Sequence, residues 1–188
     1  MPRLLETIKC LDGKIFNLDY HQKRFDDSRK RLGYTNLLKL FLTPPPKGLF
    51  RCRLVYEEEI EKIEFVPYEL KKIKSFKLID SNITYDLKYE NRDEINALLQ
   101  RKEDADEIII VKDSLLTDTS IANLCFFDGE SWLTPKIPLL YGTTRQRLLD
   151  SKKIKEAHIS CHDLHKFSKI AVLNAMTGFH IIENAIIS

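Results

Sequence analysis

The first part of the chain alternates apolar and polar residues over strand-length runs. Residues 4–11, LLETIKCL, are followed by Asp12-Gly13, a pair that favours a tight hairpin turn into the short run KIFNL. The segment YHQKRFDDSRKRLGY has helical spacing and ends at Gly33, and Pro44-Pro45-Pro46 then prevents further helix. Two more strand-like runs follow, LFRCRLVY and KIEFVPY. The pattern therefore predicts a β-β-α-β-β unit over about the first 70 residues.

The pattern changes beyond the basic run KKIK. A strand is predicted at SFKLID, and a helix at NRDEINALLQRKEDA with Asn91 as its N-cap. The second half has strand patterns at DEIIIVKD, NLCFFDG, SWLTP, EAHIS, KIAVLNA and HIIENA, and helical patterns at GTTRQRLLDSKKI and CHDLHKFS. We predict an α/β (α+β) protein with a small N-terminal α/β subdomain over 1–70 and a larger, strand-rich C-terminal subdomain over 71–188.

Composition narrows the class of protein. With 188 residues, 43% of them hydrophobic, the chain can bury a sizeable core without disulfides. Its four cysteines show no Cys-x-x-Cys spacing, so we expect free thiols and a cytoplasmic protein. No apolar run is long enough for a signal peptide or for a membrane span of about 20 residues. Because no such run is present, no membrane is expected as a partner. The 30 Lys and Arg residues barely exceed the 28 Asp and Glu residues, so no nucleic acid is expected as a partner either.

One cluster of metal-binding residue types occurs near the end of the chain. His158, Cys161, His162 and His165 are spaced by three and four residues, as zinc ligands on one helix can be. However, EAHIS predicts a strand and CHDLHKF the start of a helix, so these side chains are not expected to share one face. We therefore predict no metal site.

Four features that lie far apart in the sequence carry candidate chemistry: Lys88 in DLKYENR, Asp118 in SLLTDTSIANL, the turn GTTRQ that begins at Gly142, and Arg24 in HQKRF. Each alone has an ordinary explanation, as a solvated lysine, an Asx turn, a helix start or a surface arginine. Together they supply an amine for a Schiff base, a carboxylate for a protonated ring nitrogen, and a helix N-terminus with an arginine for a phosphate. These are the groups that pyridoxal phosphate requires.

The order of these motifs resembles that of the fold-type IV pyridoxal-phosphate enzymes, the class IV aminotransferase family. The resemblance covers LLETIKCLDGKI, HQKRF, LKYENR, ADEIIIVKDSLLTDTSIANLCFF, LTPKIPLLYGTTRQRLL and VLNAMTG. The family includes aminodeoxychorismate lyase, branched-chain aminotransferase and D-amino acid aminotransferase. The resemblance implies pyridoxal 5'-phosphate as the cofactor, the two-subdomain fold of the D-amino acid aminotransferase-like type, an amino compound as the substrate and a homodimer.

By position, the resemblance assigns covalent attachment of the cofactor and proton transfer to Lys88, and contact with the ring nitrogen to Asp118. Asp118 stands where the family usually has Glu and is one methylene shorter. The other implied cofactor-binding residues are Arg24, Thr143, Thr144, Ala175 and Met176 around the phosphate and Arg92 near the ring hydroxyl. For substrate carboxylates, the strand LFRCRLVY offers Arg53 on one face and Tyr56 on the other.

The spacing Lys-x-x-Asn-Arg at Lys88 is more similar to the aminodeoxychorismate lyases than to the branched-chain aminotransferases. The expected reaction is elimination of pyruvate from 4-amino-4-deoxychorismate to give 4-aminobenzoate, a step of folate biosynthesis. Two alternatives stay open: an aminotransferase acting on branched-chain or D-amino acids, and a relative that binds a ligand or a partner protein without catalysis. Because the family's Gly-Asp-Gly motif and an additional strand pair are missing before LLETIK, we expect a trimmed N-terminal subdomain.

Overall fold

The computed structural model describes residues 1–188, and contacts divide the chain into two compact units. The N-terminal unit comprises Met1–Leu70 together with Leu87–Asn91. The C-terminal unit comprises Lys71–Asp86 together with Arg92–Ser188. The sequence pattern assigns all of 71–188 to the second subdomain, whereas the contacts place the short segment Leu87–Asn91 with the N-terminal unit.

A four-stranded antiparallel sheet and one helix form the N-terminal unit. The strands are β1 (Leu4–Leu11), β2 (Lys14–Ile15), β3 (Leu49–Tyr56) and β4 (Ile60–Pro67), in the order β2-β1-β3-β4, and the helix is α1 (Leu18–Arg31). Asp12 and Gly13 both have positive φ in the turn between β1 and β2, a geometry that an Asp-Gly pair adopts readily. The predicted β-β-α-β-β order is confirmed.

Alternation along β1 and β3 buries one face of this sheet beneath α1. The two strands pair from Leu4 opposite Tyr56 to Leu11 opposite Leu49. Phe25 of α1 packs on the sheet, with its ring centroid 4.5 Å from that of Tyr56. The buried residues of this core are Leu4, Ile8, Cys10, Phe25, Leu40, Cys52, Leu54, Tyr56 and Leu87.

The segment Leu87–Asn91 is attached to the N-terminal half of β1 through its main chain. Leu5 donates its backbone N–H to the carbonyl of Lys88 at 2.8 Å, and Glu90 donates to the carbonyl of Arg3 at 2.9 Å. β2 pairs only with the last two residues of β1. The segment Leu87–Asn91 therefore provides backbone hydrogen bonds to the other end of that strand, which β2 does not reach. These hydrogen bonds fix the backbone of Lys88 beside β1.

Nine strands and two α-helices form the C-terminal unit. The strands are β5 (Ser75–Asp80), β6 (Glu107–Lys112), β7 (Leu115–Thr119), β8 (Asn123–Phe127), β9 (Trp132–Pro135), β10 (Lys155–Ala157), β11 (Lys169–Asn174), β12 (Gly178–Ile182) and β13 (Ile186–Ile187). The helices are α2 (Asp93–Leu99) and α3 (Thr143–Asp150), and the 3-10 helices are Gln100–Lys102 and Cys161–Lys166.

These nine strands form one mixed sheet in the order β10-β9-β8-β7-β6-β5-β13, with β11 pairing both β8 and β12. β5 and β6 run parallel, and α2 lies in the crossover that parallel neighbours need. β6 is buried over Glu107–Val111. A strand covered on both faces has a continuous apolar sequence, which is why the run DEIIIVKD predicts this element well.

The strand β7 is the main element that the sequence pattern missed. The pattern places Asp118 between two strands, whereas in the structure Asp118 lies inside β7 and pairs with Asn123 of β8. Polar residues can be buried in β7 because their side chains find hydrogen-bond partners within the protein. Thr117 Oγ1, for example, donates to the carbonyl of Ile110 at 2.7 Å. Apolar alternation therefore does not reveal this strand.

The N-cap of helix α2 lies one residue later than predicted. Its N-cap is Arg92 rather than Asn91, and no side chain caps its N-terminus. The helix ends at Leu99 and continues only as a 3-10 turn, so the predicted helix through residue 105 is too long.

Two classes of feature are absent from the structure. No group of three or more His, Cys, Asp or Glu side chains is placed to hold a metal ion. No helix combines the length and the apolar character needed to cross a membrane.

Arg29 of α1 is a buried cation that joins distant parts of the N-terminal unit. Its Nε and Nη2 donate to the carbonyl of Glu58 at 3.0 and 2.8 Å, and its Nη1 donates to the carbonyl of Asn36 at 2.7 Å. Its guanidinium carbon lies 5.2 Å from the ring centroid of Phe25. Arg29 thus ties α1 to the segments before and after β3.

We expect Arg29→Met to lower the free energy of unfolding by about 3 kcal/mol, because two backbone carbonyls lose charged donors. Lys30→Met, at the exposed next position of α1, should change it by less than about 0.5 kcal/mol. Urea unfolding followed by circular dichroism measures both variants. Equal stability of the two variants would contradict the role given to Arg29.

Candidate active site

The N-terminal unit contains a buried group formed by Glu6, His21 and Arg24. Glu6 lies on β1 and is fully buried. Arg24 of α1 contacts both carboxylate oxygens, with Nε 2.8 Å from Oε1 and Nη2 2.5 Å from Oε2, and His21 Nδ1 lies 2.6 Å from Oε2. Because an ionised carboxylate only accepts hydrogen bonds, His21 donates from Nδ1. The carboxylate of Glu6 is thus held by two residues of one helix.

Burial by itself raises the pKa of a carboxyl group, but the charge of Arg24 and the hydrogen bonds from His21 and Arg24 hold the pKa of Glu6 at about 2. The side chain of Arg24 is only 15% exposed. The sequence predicts Arg24 as a phosphate ligand, and the structure shows that its guanidinium is oriented by Glu6. Since a guanidinium carries five N–H donors, this pairing is compatible with a contact to a second anion.

Lys88 is half-buried, and its segment lies close to Arg53 of β3. Arg53 Nη1 is 3.2 Å from Glu64 Oε2, and its Nη2 is 3.9 Å from Oε1 of Glu90, two residues after Lys88. Tyr56 points to the other face of β3, where it is fully buried in the core. The structure therefore brings Arg53 and the segment of Lys88 together, and it leaves Tyr56 out of that group.

Asp118 is the buried acid of the C-terminal unit. Its side chain is 5% exposed, and both of its oxygens accept hydrogen bonds: Oδ1 from Asn123 Nδ2 at 2.7 Å and Oδ2 from the Leu140 N–H at 2.9 Å. Burial raises the pKa of Asp118 to about 7, while these hydrogen bonds and the charge of Arg145 limit the rise. A cation placed against this carboxylate would stabilise its ionised form.

The N-terminus of α3 follows directly from the segment that bonds to Asp118. Leu140 precedes the N-cap residue Gly142 by two positions, and the buried residues Thr143 and Thr144 form the first turn. The first N–H groups of a helix have no partner within it, and together with the helix dipole they favour an anion. No side chain caps this helix, so its N-terminus is suited to a phosphate.

Arg92 and Ser120 extend the surroundings of Asp118. Arg92 Nη2 donates to the carbonyl of Ser120 at 2.6 Å, two residues after Asp118. Ser120 is 4% exposed, and its Oγ has no hydrogen-bond partner. A buried hydroxyl without a partner is uncommon, and a ligand can supply the missing hydrogen bond.

Ala175 and Met176 lie in the turn between β11 and β12. Asn174 Oδ1 accepts hydrogen bonds from the N–H groups of Met176 and Thr177, both at 2.9 Å. A main-chain contact from Met176 to a phosphate would require this hydrogen bond to be shared. The N–H groups of this turn are therefore less available to an anion than those at the N-terminus of α3.

Glu6 and Asn123 are the residues of these groups that sequence reasoning missed. Glu6 has a recognisable signal, because it occupies an inward-facing position of LLETIKC where an apolar residue is expected. Asn123 has almost none, since an Asn at the start of an apolar strand usually marks a turn. Only the structure shows that its side chain reaches both Asp118 and Leu140.

Within the C-terminal unit, the residues fit a group that carries a cationic ring and a phosphate. The C-terminal unit offers the buried carboxylate of Asp118, the unpartnered Ser120 Oγ and the N-terminus of α3. The N-terminal unit, taken by itself, carries the half-buried Lys88 and the guanidinium of Arg24 oriented by Glu6. Pyridoxal phosphate, which the sequence motifs imply, requires groups of these kinds.

Comparison with known sequences agrees with this chemistry. The model of a family described as aminotransferase class IV matches residues 60–185. An uncharacterised protein of Haemophilus influenzae is 38% identical, and the match covers 95% of this chain and 100% of that protein.

Solved structures agree with the fold. A protein from Haemophilus somnus 129PT, provisionally named a 4-amino-4-deoxychorismate lyase, is 36% identical with a TM-score of 0.85, over 95% of this chain and 98% of that one. A hypothetical aminotransferase from Mycobacterium tuberculosis, in its PLP-bound form, is 16% identical with a TM-score of 0.78, over 100% of this chain and 81% of that one. The second likeness concerns the fold alone. The α/β fold class expected from the sequence is confirmed.

We expect Glu6 to make stability depend on pH in the acid range. Its pKa of about 2 in the folded protein lies below the ordinary value of 4.5, so below about pH 4.5 the unfolded chain takes up a proton that the folded chain does not. The contribution of Glu6 to stability is present above that pH, and on the order of 3 kcal/mol should be lost as the pH falls to about 2. Urea unfolding at a series of pH values measures this loss.

Glu6→Gln removes the titrating group, so the variant should be less stable than wild type at pH 7 and the difference should shrink towards pH 2. Glu130→Gln, at an exposed position, should follow the wild-type curve. A constant difference between wild type and Glu6→Gln across this range would contradict the ion pair as the source of the stability.

Proposed function

Because the chain belongs to the aminotransferase class IV family, we propose that it is a pyridoxal-phosphate-dependent lyase that converts 4-amino-4-deoxychorismate into 4-aminobenzoate and pyruvate. Family membership supports the broader assignment, a pyridoxal-phosphate-dependent lyase or aminotransferase acting on an amino compound. The choice of the lyase is supported by the similarity to the Haemophilus somnus protein and by the Lys-x-x-Asn-Arg spacing at Lys88.

The observation that carries the proposal is the buried carboxylate of Asp118, hydrogen-bonded to the segment that leads into α3. A carboxylate whose pKa burial raises to about 7 gains from a cationic partner, and the N-terminus of α3 gains from an anionic one. A protonated pyridine ring that carries a phosphate supplies both charges. This arrangement supports a cofactor of that kind more directly than any single residue does.

Lys88 and Asp118 have the central chemical roles in this proposal. Pyridoxal phosphate, when bound, links covalently to an amine and draws electrons into its protonated ring. Ionised Asp118 keeps the ring nitrogen protonated by ion pairing. Lys88 holds the cofactor, and its released Nζ then takes the proton from the substrate carbon that bears the amino group. The C–O bond to the enolpyruvyl group breaks, and the departing enol takes up a proton to become pyruvate.

The phosphate is assigned to groups with fixed orientation. The N–H groups of Thr143 and Thr144 open α3, and Arg24 is oriented by its bidentate contact with Glu6. Arg92, Ala175 and Met176 are assigned supporting contacts. These groups bind and orient the cofactor, and none of them transfers a proton.

Substrate binding is assigned to Arg53. 4-Amino-4-deoxychorismate carries carboxylates, which an arginine recognises through paired N–H donors. Arg53 is partly exposed and lies near Glu90 in the segment of Lys88, which supports this role. Tyr56 is not retained, because its side chain is fully buried in the core of the N-terminal unit.

We also propose that the enzyme is a homodimer and cytoplasmic. The homodimer follows from the family resemblance. The location is supported by the state of the cysteines, since all four are free thiols: Cys10, Cys52, Cys125 and Cys161.

The protein loaded with pyridoxal phosphate should be yellow, and borohydride should bleach the visible band and leave the cofactor on Lys88. Lys88→Ala should lose this covalent attachment. Lys77→Ala, which removes a lysine of β5 paired with Glu103, should retain it. Peptide mass spectrometry after borohydride treatment identifies the modified lysine, and a cofactor found on any other lysine would contradict the assignment.

The reaction is tested by product analysis. With 4-amino-4-deoxychorismate, wild type should form 4-aminobenzoate and pyruvate in equal amounts, and Lys88→Ala should be slower by about 10³-fold, the loss typical of removing a positioned base. If the protein transfers amino groups from branched-chain or D-amino acids and forms no 4-aminobenzoate, it is an aminotransferase and not a lyase. Bound cofactor with neither activity would indicate a ligand-binding relative.

A further inference from the structure

Asn123, the first residue of β8, closes a ring of hydrogen bonds with Asp118 and Leu140. Its Nδ2 donates to Asp118 Oδ1 and to the carbonyl of Leu140, both at 2.7 Å. The N–H of Leu140 donates back to Asp118 Oδ2 at 2.9 Å. Asn123 is 4% exposed, so water does not compete for these groups. The ring joins β7, β8 and the segment that precedes α3.

The two acceptors also fix which way the amide of Asn123 points. An amide nitrogen carries two hydrogens, and here one is directed to Asp118 and the other to Leu140. The amide oxygen must therefore point elsewhere, and it lies against Gly142. An aspartate at this position could not donate either hydrogen bond.

Gly142 leaves the space that the amide oxygen occupies. A Cβ built on Gly142 would overlap Asn123 Oδ1. Gly142 has φ −72° and ψ 145°, a conformation open to any residue, so a side chain is excluded by space alone. The N-cap of α3 is thus packed directly on the side chain that holds Asp118.

We propose that Asn123 is a positioning residue that ties Asp118 to the turn before α3, so that one side chain sets both the partner of the ring nitrogen and the start of the phosphate-binding helix. This inference rests on the proposed function, which assigns the ring nitrogen to Asp118 and the phosphate to α3. Asn123 need not touch the cofactor, because both of its donors are engaged within the protein.

The ring leaves Asp118 able to bind a further donor. Two carboxylate oxygens offer about four lone pairs, and Asn123 and Leu140 each take one, on different oxygens. Donors directed at an ionised carboxylate favour its charged form, as does the charge of Arg145. Removing the donor from Asn123 should therefore raise the pKa of Asp118.

The first test uses the protein without cofactor. The carboxyl carbon of Asp118, assigned by its absence from the NMR spectrum of Asp118→Asn, should titrate near pH 7 in wild type. In Asn123→Ala the midpoint should rise by about one pH unit, the shift that corresponds to one lost hydrogen bond to a charged group. Asn96→Ala, exposed in α2, should leave it unchanged. An unchanged midpoint in Asn123→Ala would overturn the proposal.

A conservative variant keeps this test valid if Asn123→Ala does not fold. Asn123→Leu keeps a side chain of similar size and carries no donor, so its midpoint should also rise by about one pH unit. No rise in a folded Asn123→Leu protein would also overturn the proposal. Circular dichroism establishes which of the two variants is folded.

The second test concerns the contact with Gly142. Gly142→Ala alone should lower the thermal midpoint by about 4 °C or more, because its Cβ meets the amide oxygen of Asn123. In the double variant Asn123→Ala with Gly142→Ala the overlap is gone, so the midpoint should equal or exceed that of Asn123→Ala alone. If the decreases in thermal midpoint of the two single variants simply add in the double variant, Gly142 does not pack against Asn123 as proposed, and the proposal is wrong.

Loading with pyridoxal phosphate separates this inference from the proposed function. Asn123→Ala should bind the cofactor about 10-fold more weakly at pH 7, and the double variant should stay weak because the donor is still missing. If wild type stays colourless while Asn123→Ala still shifts the titration of Asp118, the proposed function is wrong and the link between the two residues is supported. If wild type is yellow and Asn123→Ala changes neither affinity nor titration, the function is supported and this inference is wrong.

Discussion

Asp118 has lost nearly all contact with water, and a carboxylate in that position must find its hydrogen-bond donors within the protein. The donors come from Asn123 on the neighbouring strand and from the main chain of Leu140. Pairing of β7 with β8, the course of the segment before α3 and the N-cap at Gly142 must therefore all be in place together. The candidate site of the C-terminal unit therefore depends on the hydrogen bonds to this one carboxylate.

The protein contains a second buried acid whose surroundings have the opposite effect. Glu6 faces the cation Arg24 as well as His21, and its pKa falls to about 2 although burial alone would raise it. Asp118 is hydrogen-bonded by neutral donors, and its pKa rises to about 7. The charge of Glu6 is thus balanced within its own unit, while that of Asp118 is balanced only in part. The proposed cationic ring would complete that balance.

Local patterns in the sequence predicted most elements and the candidate chemistry. The Asp12-Gly13 hairpin, the strand LFRCRLVY and the buried run of β6 are each encoded by neighbouring residues, through turn propensity and apolar alternation. The order of the motifs around Lys88, Asp118 and Gly142 predicted the class of enzyme, because each motif is a short stretch with its own signature. Their assignment as site residues stays a prediction.

The sequence by itself determined the hairpins, most strands and the family, since these depend on residues close together in the chain. The tertiary structure decided that Leu87–Asn91 joins the sheet of the N-terminal unit, that Glu6 pairs with Arg24, and that the polar run containing Asp118 is a strand. It also decided that Asn123 bonds to both Asp118 and Leu140. Each of these depends on contacts between residues far apart in the chain, and the burial that makes a polar contact strong exists only after the chain has folded.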